Sequence, residues 1–406
     1  MYNLEYKANF KTIHMKKRRI EPNIEKFIKH DNAIVLTGAR RVGKTSLLKN
    51  IFKKIESESK LWFDLDNPLH QKIFESLDYD DIYKELIDMG LHPKQRKYVF
   101  IDEVQNFPEI TKVIKYLIDH YKIKFFLTGS SSFYMKNLFP ESLAGRKFEF
   151  NLYPLDFGEF LYFKGLVKDI PDLKIDFKNI TEIRYEKFDQ EYTEFIRYGS
   201  FPQIVLAESI AEKKLLLADI FKSFFQMDIL KLSQYQDVKE IRELIILLTR
   251  RIGSKLDISK LASELGVQRA KVYSYLEFLQ ATFMINLVSQ YSKSVDKSIA
   301  AGKKIYFVDT GLASYINQIG EGELFENAIF NSLSRHGTLN YYTDKTQEID
   351  FILNKEYAFE VKLTGTKTYY DKLLKTASKL GLKKSFLISK SFVKDKSVAV
   401  VYPQSL

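Results

Sequence analysis

Gly38-Ala39-Arg40-Arg41-Val42-Gly43-Lys44-Thr45-Ser46 has the G-x-x-x-x-G-K-[ST] spacing of a phosphate-cradling loop. Glycines at Gly38 and Gly43 let the backbone curl until its N–H groups face inward at phosphate oxygens. A helix opening at the lysine adds the positive end of its dipole. Lys44 is then placed to reach the β- and γ-phosphates of ATP, and the Thr45 hydroxyl to ligate Mg²⁺. Arg41 inside the loop could neutralise phosphate charge or stand at the surface.

Asp102, 58 residues after Lys44, closes the run Tyr98-Val99-Phe100-Ile101-Asp102-Glu103. Four apolar residues ending in two acids describe a buried strand that delivers carboxylates to the ligand-binding edge of an open α/β sheet. Asp102 would hold Mg²⁺, and Glu103 would orient or deprotonate an attacking water, which makes hydrolysis the expected reaction. The alternative is a strand end with two solvated acids. The next strand ends Leu127-Thr128-Gly129-Ser130-Ser131-Ser132. Those hydroxyls could bond the γ-phosphate or the lytic water, or serve as ordinary turn chemistry. Arg146, in Leu143-Ala144-Gly145-Arg146, could neutralise phosphate in cis or from a neighbouring subunit, or be a surface arginine.

A second group of acids lies near the other end. Asp350, in Glu348-Ile349-Asp350-Phe351-Ile352-Leu353, is followed ten residues later by Glu360 in Ala358-Phe359-Glu360-Val361-Lys362. Two strands joined by the turn 354–356 would bring Asp350 and Glu360 together, and alternation puts Lys362 on the face of Glu360. Two acids and an amine around a hard divalent ion suit phosphodiester cleavage, with Glu326 on the helix 323–334 as a third acid. The alternative is a hairpin with solvent-facing charges.

These groups need elements to hold them. From residue 31, short apolar runs at 33–37, 61–64, 98–101, 125–128 and 148–152 alternate with helical periods at 46–55, 82–89 and 110–121. That alternation predicts βαβ units and a parallel sheet. Residues 155–250 read as helical, with 220–229 and 241–251 the clearest segments. Residues 257–279 read as helix, glycine turn at Gly266, helix, with a strand at 283–288, a Lys/Ser-rich turn at 292–304 and a strand at 303–308 forming a wing. A DNA-reading winged helix would present Gln268, Arg269, Lys271 and Tyr273, while one used as a packing lid would not. After Gly311 a helix, two strands and a further helix predict a separate α/β module.

Composition narrows the classes. The chain has 406 residues, no cysteine and a formal net charge of +11. Zero cysteine removes thiolate nucleophiles, thiolate zinc sites, iron–sulfur clusters and disulfides. The six histidines form no i, i+4 pair, so none is assigned to a metal. No apolar stretch reaches the ~18 residues of a spanning helix, and Met1 is followed by polar and basic residues, so a cytoplasmic protein without a membrane partner is expected. The basic excess fits either a nucleic-acid binder or a compositional bias.

Gly38–Ser46, Tyr98–Asn106, Leu127–Ser132, Leu143–Arg146 with Tyr153-Pro154-Leu155, and Gly199–Gln203 resemble the AAA-type P-loop ATPases of archaea and bacteria. Lys303–Leu312, with Tyr306-Phe307-Val308-Asp309-Thr310-Gly311-Leu312, and Glu360-Val361-Lys362 resemble the C-terminal domain of uncharacterised function attached to them. The resemblance implies an α/β fold: a P-loop AAA-type parallel sheet with helices on both faces, a helical and winged-helix middle, and a C-terminal α/β nuclease-like domain. Domain limits of 1–160, 161–235, 236–312 and 313–406 follow from the pattern. It further implies that Glu326, Asp350, Glu360 and Lys362 match a restriction-endonuclease-like core. The expected function is Mg²⁺-dependent ATP hydrolysis coupled to DNA binding or remodelling, with nuclease activity as an addition. The alternative is a nucleotide-switched DNA- or protein-binding regulator with an inactive nuclease-like domain. A homo-oligomer is compatible with either.

Overall fold

Strands β1 (Ala33–Thr37), β2 (Lys60–Asp64), β3 (Tyr98–Asp102), β4 (Lys124–Gly129) and β5 (Lys147–Asn151) run parallel in the order β2-β3-β4-β1-β5. The computed structural model describes residues 16–129, 143, 145–177, 180–226, 235–292, 294, 301–344 and 346–406. β1, β3 and β4 are buried along their whole length. A strand covered on both faces reads as an unbroken apolar run, as Ile34-Val35-Leu36 and Val99-Phe100-Ile101 do.

Helices cover the two faces by alternation. Val35, Phe63, Val99, Ile101 and Leu127 pack with Ile82 and Leu86 of the helix Tyr79–Asp88 and Ile114 and Leu117 of the helix Ile110–Tyr121. On the other face, Phe52 of the helix Lys44–Lys54 meets Trp62 and Phe100 with ring centroids 6.0 and 5.1 Å apart, and Phe100 stacks on Phe126 at 4.3 Å. Truncating the wholly buried Phe100 to alanine would cost about 3–5 kcal/mol. Because the strands are parallel, Thr37, Asp64, Asp102 and Thr128 all end at one edge of the sheet. These elements belong to one compact unit, residues 1–153 with 281–283.

The second unit comprises 154–280 and 284–406. Its first part is helical, as expected, with helices at Phe157–Phe163, Asp189–Tyr198, Ile210–Phe224 and Tyr235–Thr249. The helix expected at 220–229 starts earlier because Ser209 caps it, accepting the Glu212 N–H at 3.1 Å; residues 227–229 of that expectation lie outside the described residues. The helix Ile258–Leu265, a left-handed Gly266 and a helix from Arg269 follow. A two-stranded antiparallel ribbon comes next, β6 (Ile285–Val288) with β7 (Lys304–Phe307). Most of the turn expected at 292–304, namely 293 and 295–300, lies outside the described residues.

The last part holds a five-stranded mixed sheet in the order β12-β11-β10-β9-β8: β8 (Leu339–Thr343), β9 (Glu348–Leu353), β10 (Tyr357–Lys362), β11 (Lys384–Ser389) and β12 (Val400–Val401). Sequence reading expected two strands there. Three escaped it: β8, whose half-buried residues give no apolar run, β12, which is two residues long, and β11, whose apolar core Phe386-Leu387-Ile388 is only three residues long. Leu373 and Ala377 of the helix Lys367–Leu380 pack on Ile349, Ile352 and Ala358. Phe330 of the helix Glu321–Leu333 lies 6.2 Å from Phe351 between ring centroids. No helix among the described residues is long and apolar enough to cross a membrane.

Candidate functional site

The loop after β1 is shaped by close backbone approach. Gly38 has φ 152°, and a Cβ there would sit 2.2 Å from the Leu152 carbonyl oxygen, so only glycine fits. Gly43, at φ 98°, turns the chain into the helix that begins at Lys44. Lys44 is 5% exposed, and its Nζ donates to the carbonyls of Gly38 and Ala39, each at 2.9 Å. Arg40 is half-buried, and Arg41 is exposed with φ 64°. The loop is braced from below by Arg18, also 5% exposed, whose guanidinium donates to the Val42 carbonyl at 2.7 Å and the Tyr153 carbonyl at 2.8 Å.

Asp102, at the end of β3, is 4% exposed and accepts hydrogen bonds from the Thr128 and Thr45 hydroxyls. Burial pushes its carboxyl up to about 6; the two hydroxyls oppose the shift, and the neighbouring acids Glu103 and Asp64 add to it. A buried carboxylate among other acids, beside a hydroxyl at the helix start, is a donor set of hard oxygens that fits Mg²⁺. Glu103 adopts φ 54°, a left-handed conformation that costs a non-glycine residue about 1–3 kcal/mol. Its N–H donates to Thr128 Oγ1 at 3.0 Å, and its carboxylate accepts from Gln105 Nε2. Lys44, Thr45, Asp102 and Glu103 thus share one edge of the sheet, with β4 lying between the loop strand β1 and the acid strand β3.

Arg146 stands elsewhere. It precedes β5, whose first residue pairs with Ala33 at the start of β1, so it lies at the edge opposite the loop, with its Nε 2.7 Å from Asp119. The full length of β5 separates it from the loop of its own chain, which leaves contact in trans as the remaining form of the expected role. Ser130, Ser131, Ser132 and Ala144 lie outside the described residues.

In the second unit β9 and β10 are antiparallel neighbours, as expected, and bring Asp350 and Glu360 together. Lys362 Nζ lies 2.7 Å from Glu360 Oε1 and 3.5 Å from Asp350 Oδ2, and Asp350 Oδ2 accepts the Val361 N–H at 2.8 Å. Glu326 joins them, accepting the Tyr306 hydroxyl at 2.7 Å. A cation from outside the sheet enters the same group: Lys304 Nζ of β7 lies 2.7 Å from Glu348, 3.7 Å from Glu326 and 3.9 Å from Asp350. Burial raises the carboxyls of Glu326 and Glu360 well above the ordinary range, and the Asp350 charge raises them further. Burial works against protonated Lys304, but the surrounding acids outweigh it and hold the ammonium charged. The donor set therefore does not match a divalent ion as arranged, because the Lys304 ammonium already lies among three of its carboxylates; no group of three or more acids and histidines among the described residues is placed to hold a metal.

Of the residues expected to face nucleic acid, Gln268, Arg269 and Tyr273 are exposed. Lys271 is not available in the same way: its Nζ lies 2.9 Å from Asp237 and 2.7 Å from Glu240, acids that also accept the Tyr275 hydroxyl. It ties two helices together, a correction to its assignment as a groove residue. Asp309 is likewise structural. It accepts the Ser200 N–H at 2.7 Å and the Leu312 N–H at 2.8 Å, while Gly311 leaves no room for a Cβ, which would lie 2.0 Å from the Tyr198 carbonyl oxygen. The Gly199–Gln203 and Tyr306–Leu312 stretches singled out in the sequence are partners in this one contact.

Three contributors escaped sequence reading. Arg18 lay in a run of basic residues, and Asp64 at a strand end without a motif, although it pairs in register with Asp102. Lys304 was grouped with a basic turn. Only the strand-end acid of Asp64 offered a signal.

Residues 30–161 match an AAA domain family. Residues 189–323 and 321–403 match two domains of unknown function, DUF8612 and DUF4143. An uncharacterized protein of Methanocaldococcus jannaschii is 28% identical over 337 residues, covering 79% of this chain and 73% of that protein. One of Haemophilus influenzae is 26% identical over 357 residues, covering 80% and 82%. Among solved structures, a Walker-type ATPase of Pyrococcus abyssi aligns with 78% of this chain and 99% of its own, at 16% identity and a TM-score of 0.44. A signal-transduction ATPase with a tetratricopeptide repeat sensor from Pyrococcus horikoshii aligns with 82% of this chain and 46% of its own, at 13% identity and a TM-score of 0.34.

Proposed function

We propose that the AAA-type domain at residues 30–161 makes this chain a Mg²⁺-dependent ATPase, and that its nucleotide state governs DNA binding by the helix–glycine turn–helix and ribbon, read as a winged helix. The observation that carries the ATPase is the convergence of Lys44, Thr45, Asp102 and Glu103 at one sheet edge. Loop N–H groups and the Lys44 ammonium bind the phosphates. Thr45 and Asp102 are the residues that would hold Mg²⁺; when bound, the ion would neutralise charge on the phosphate oxygens. Glu103, oriented by Thr128 and Gln105, aligns the attacking water and accepts its proton. Water oxygen bonds to the γ-phosphorus as the bond to the bridging oxygen breaks, releasing ADP and phosphate.

Exposed Gln268, Arg269 and Tyr273 at the start of the second helix, together with the basic excess, support the DNA part. ATP turnover measured with and without duplex DNA at low salt tests it. Stimulation that is lost in an Arg269→Ala/Tyr273→Ala double variant supports the coupling, and unchanged turnover with no DNA bound at low salt removes it.

For the C-terminal acids, a restriction-endonuclease-like reading gives Glu326, Asp350, Glu360 and Lys362 the cleavage of nucleic acid. The additional ammonium of Lys304 among these acids favours the second reading, a nucleotide-switched regulator whose nuclease-like domain does not cut. Cleavage assays with several divalent metals on wild type and Asp350→Ala separate the two.

A further inference from the structure

We infer that Lys304 is the resident counter-cation of the Glu326–Glu348–Asp350 cluster: its ammonium takes the place a divalent ion would need, and the intact chain binds no such ion there. This rests on reading the cluster as the acid set of a nuclease-like core. Lys304 is 4% exposed, and its ammonium lies within 3.9 Å of all three carboxylates. A buried charge is tolerated only with partners, and here the partners surround it.

The strand that carries Lys304 is not part of the sheet β8–β12. β7 is pinned on one side by β6. On the other, the Lys303 carbonyl accepts the Leu256 N–H at 2.9 Å and the Ile305 carbonyl accepts the Gly253 N–H at 3.0 Å. Tyr306, two residues on and so on the same face, donates its hydroxyl to Glu326. β7 thus delivers a positive charge and a donor together into the acids. Four carboxylates, Glu326, Glu348, Asp350 and Glu360, face two ammoniums, Lys304 and Lys362, which leaves two formal negative charges. Glu360 Oε2 is buried without a hydrogen-bond partner. Without the Lys304 charge, three carboxylate oxygens lose their cation at once. Oxygen donors of that number and charge are what Mn²⁺ or Mg²⁺ binds.

The test counts Mn²⁺ bound to the nucleotide-free intact chain by electron paramagnetic resonance in wild type, Asp350→Asn, Lys304→Met and the Lys304→Met/Asp350→Asn double variant. The expected result is equal binding by wild type and Asp350→Asn, one additional Mn²⁺ per chain in Lys304→Met, and its loss in the double variant. Binding by Asp350→Asn that falls short of wild type overturns the inference, as does a folded Lys304→Met that gains none. Should Lys304→Met fail to fold, the wild-type and Asp350→Asn comparison decides alone. Failure of the nuclease reading shows separately, as a Lys304→Met protein that holds Mn²⁺ yet leaves DNA uncut.

Discussion

The Thr128 hydroxyl accepts the backbone N–H of Glu103 at 3.0 Å. The same hydroxyl donates to the Asp102 carboxylate, so one side chain on β4 sets the position of both acids at the end of β3. The left-handed backbone of Glu103 is held in place by this contact rather than by its own preference.

Thr128→Val keeps the shape and removes the hydroxyl. Turnover should fall by about 10²-fold, the scale of a misplaced reacting group, with little change in ATP affinity. Thr128→Ser should restore most of it. Steady-state kcat and KM measured on both variants check this; an equal loss in Ser and Val would assign Thr128 to packing.

Arg18 acts on the loop from outside the motif. Arg18→Ala leaves the Val42 and Tyr153 carbonyls without their buried donor, a cost of about 1–3 kcal/mol in stability. ATP binding should weaken as the loop loosens, while kcat at saturating ATP changes less. Nucleotide titration alongside thermal unfolding reads both effects.

Acid sensitivity should trace in part to Glu194. Burial alone would raise its carboxyl, but ion pairs from Lys164 and the buried Lys213 hold it below the ordinary value of 4.5. A depressed carboxylate contributes stability above its unfolded value and loses it as pH falls through the folded one. Glu194→Gln should therefore melt lower than wild type at neutral pH by an amount worth about 1.5–3 kcal/mol. The gap should narrow as pH falls below 4.5 and close once pH passes below the depressed value of the folded state. Paired melting curves across that range test the sign.

The phosphate loop and the Asp102–Glu103 strand were legible because short-range chemistry dictates them: the glycines, lysine and acids must stand at fixed spacings in one stretch of chain. Arg18 and Lys304 were not, since each acts on partners far away in sequence, and only the folded chain shows which charge they meet. Lys271 shows the converse. A DNA-reading winged helix would turn it to the groove, and two acids on a neighbouring helix hold it. The carboxylate cluster stands between these cases, with its hairpin read correctly and its internal cation missed.

The most direct measurement is phosphate release from ATP by wild type, Glu103→Gln and Lys44→Ala, with nucleotide binding followed in parallel. Wild type should hydrolyse ATP. Glu103→Gln should bind ATP as wild type does with turnover down about 10²–10⁴-fold, the scale of a lost general base. Lys44→Ala should lose binding and turnover together. Turnover by Glu103→Gln at the wild-type rate would contradict the assignment of the water-activating acid, and wild type that neither binds nor hydrolyses ATP would contradict the account as a whole.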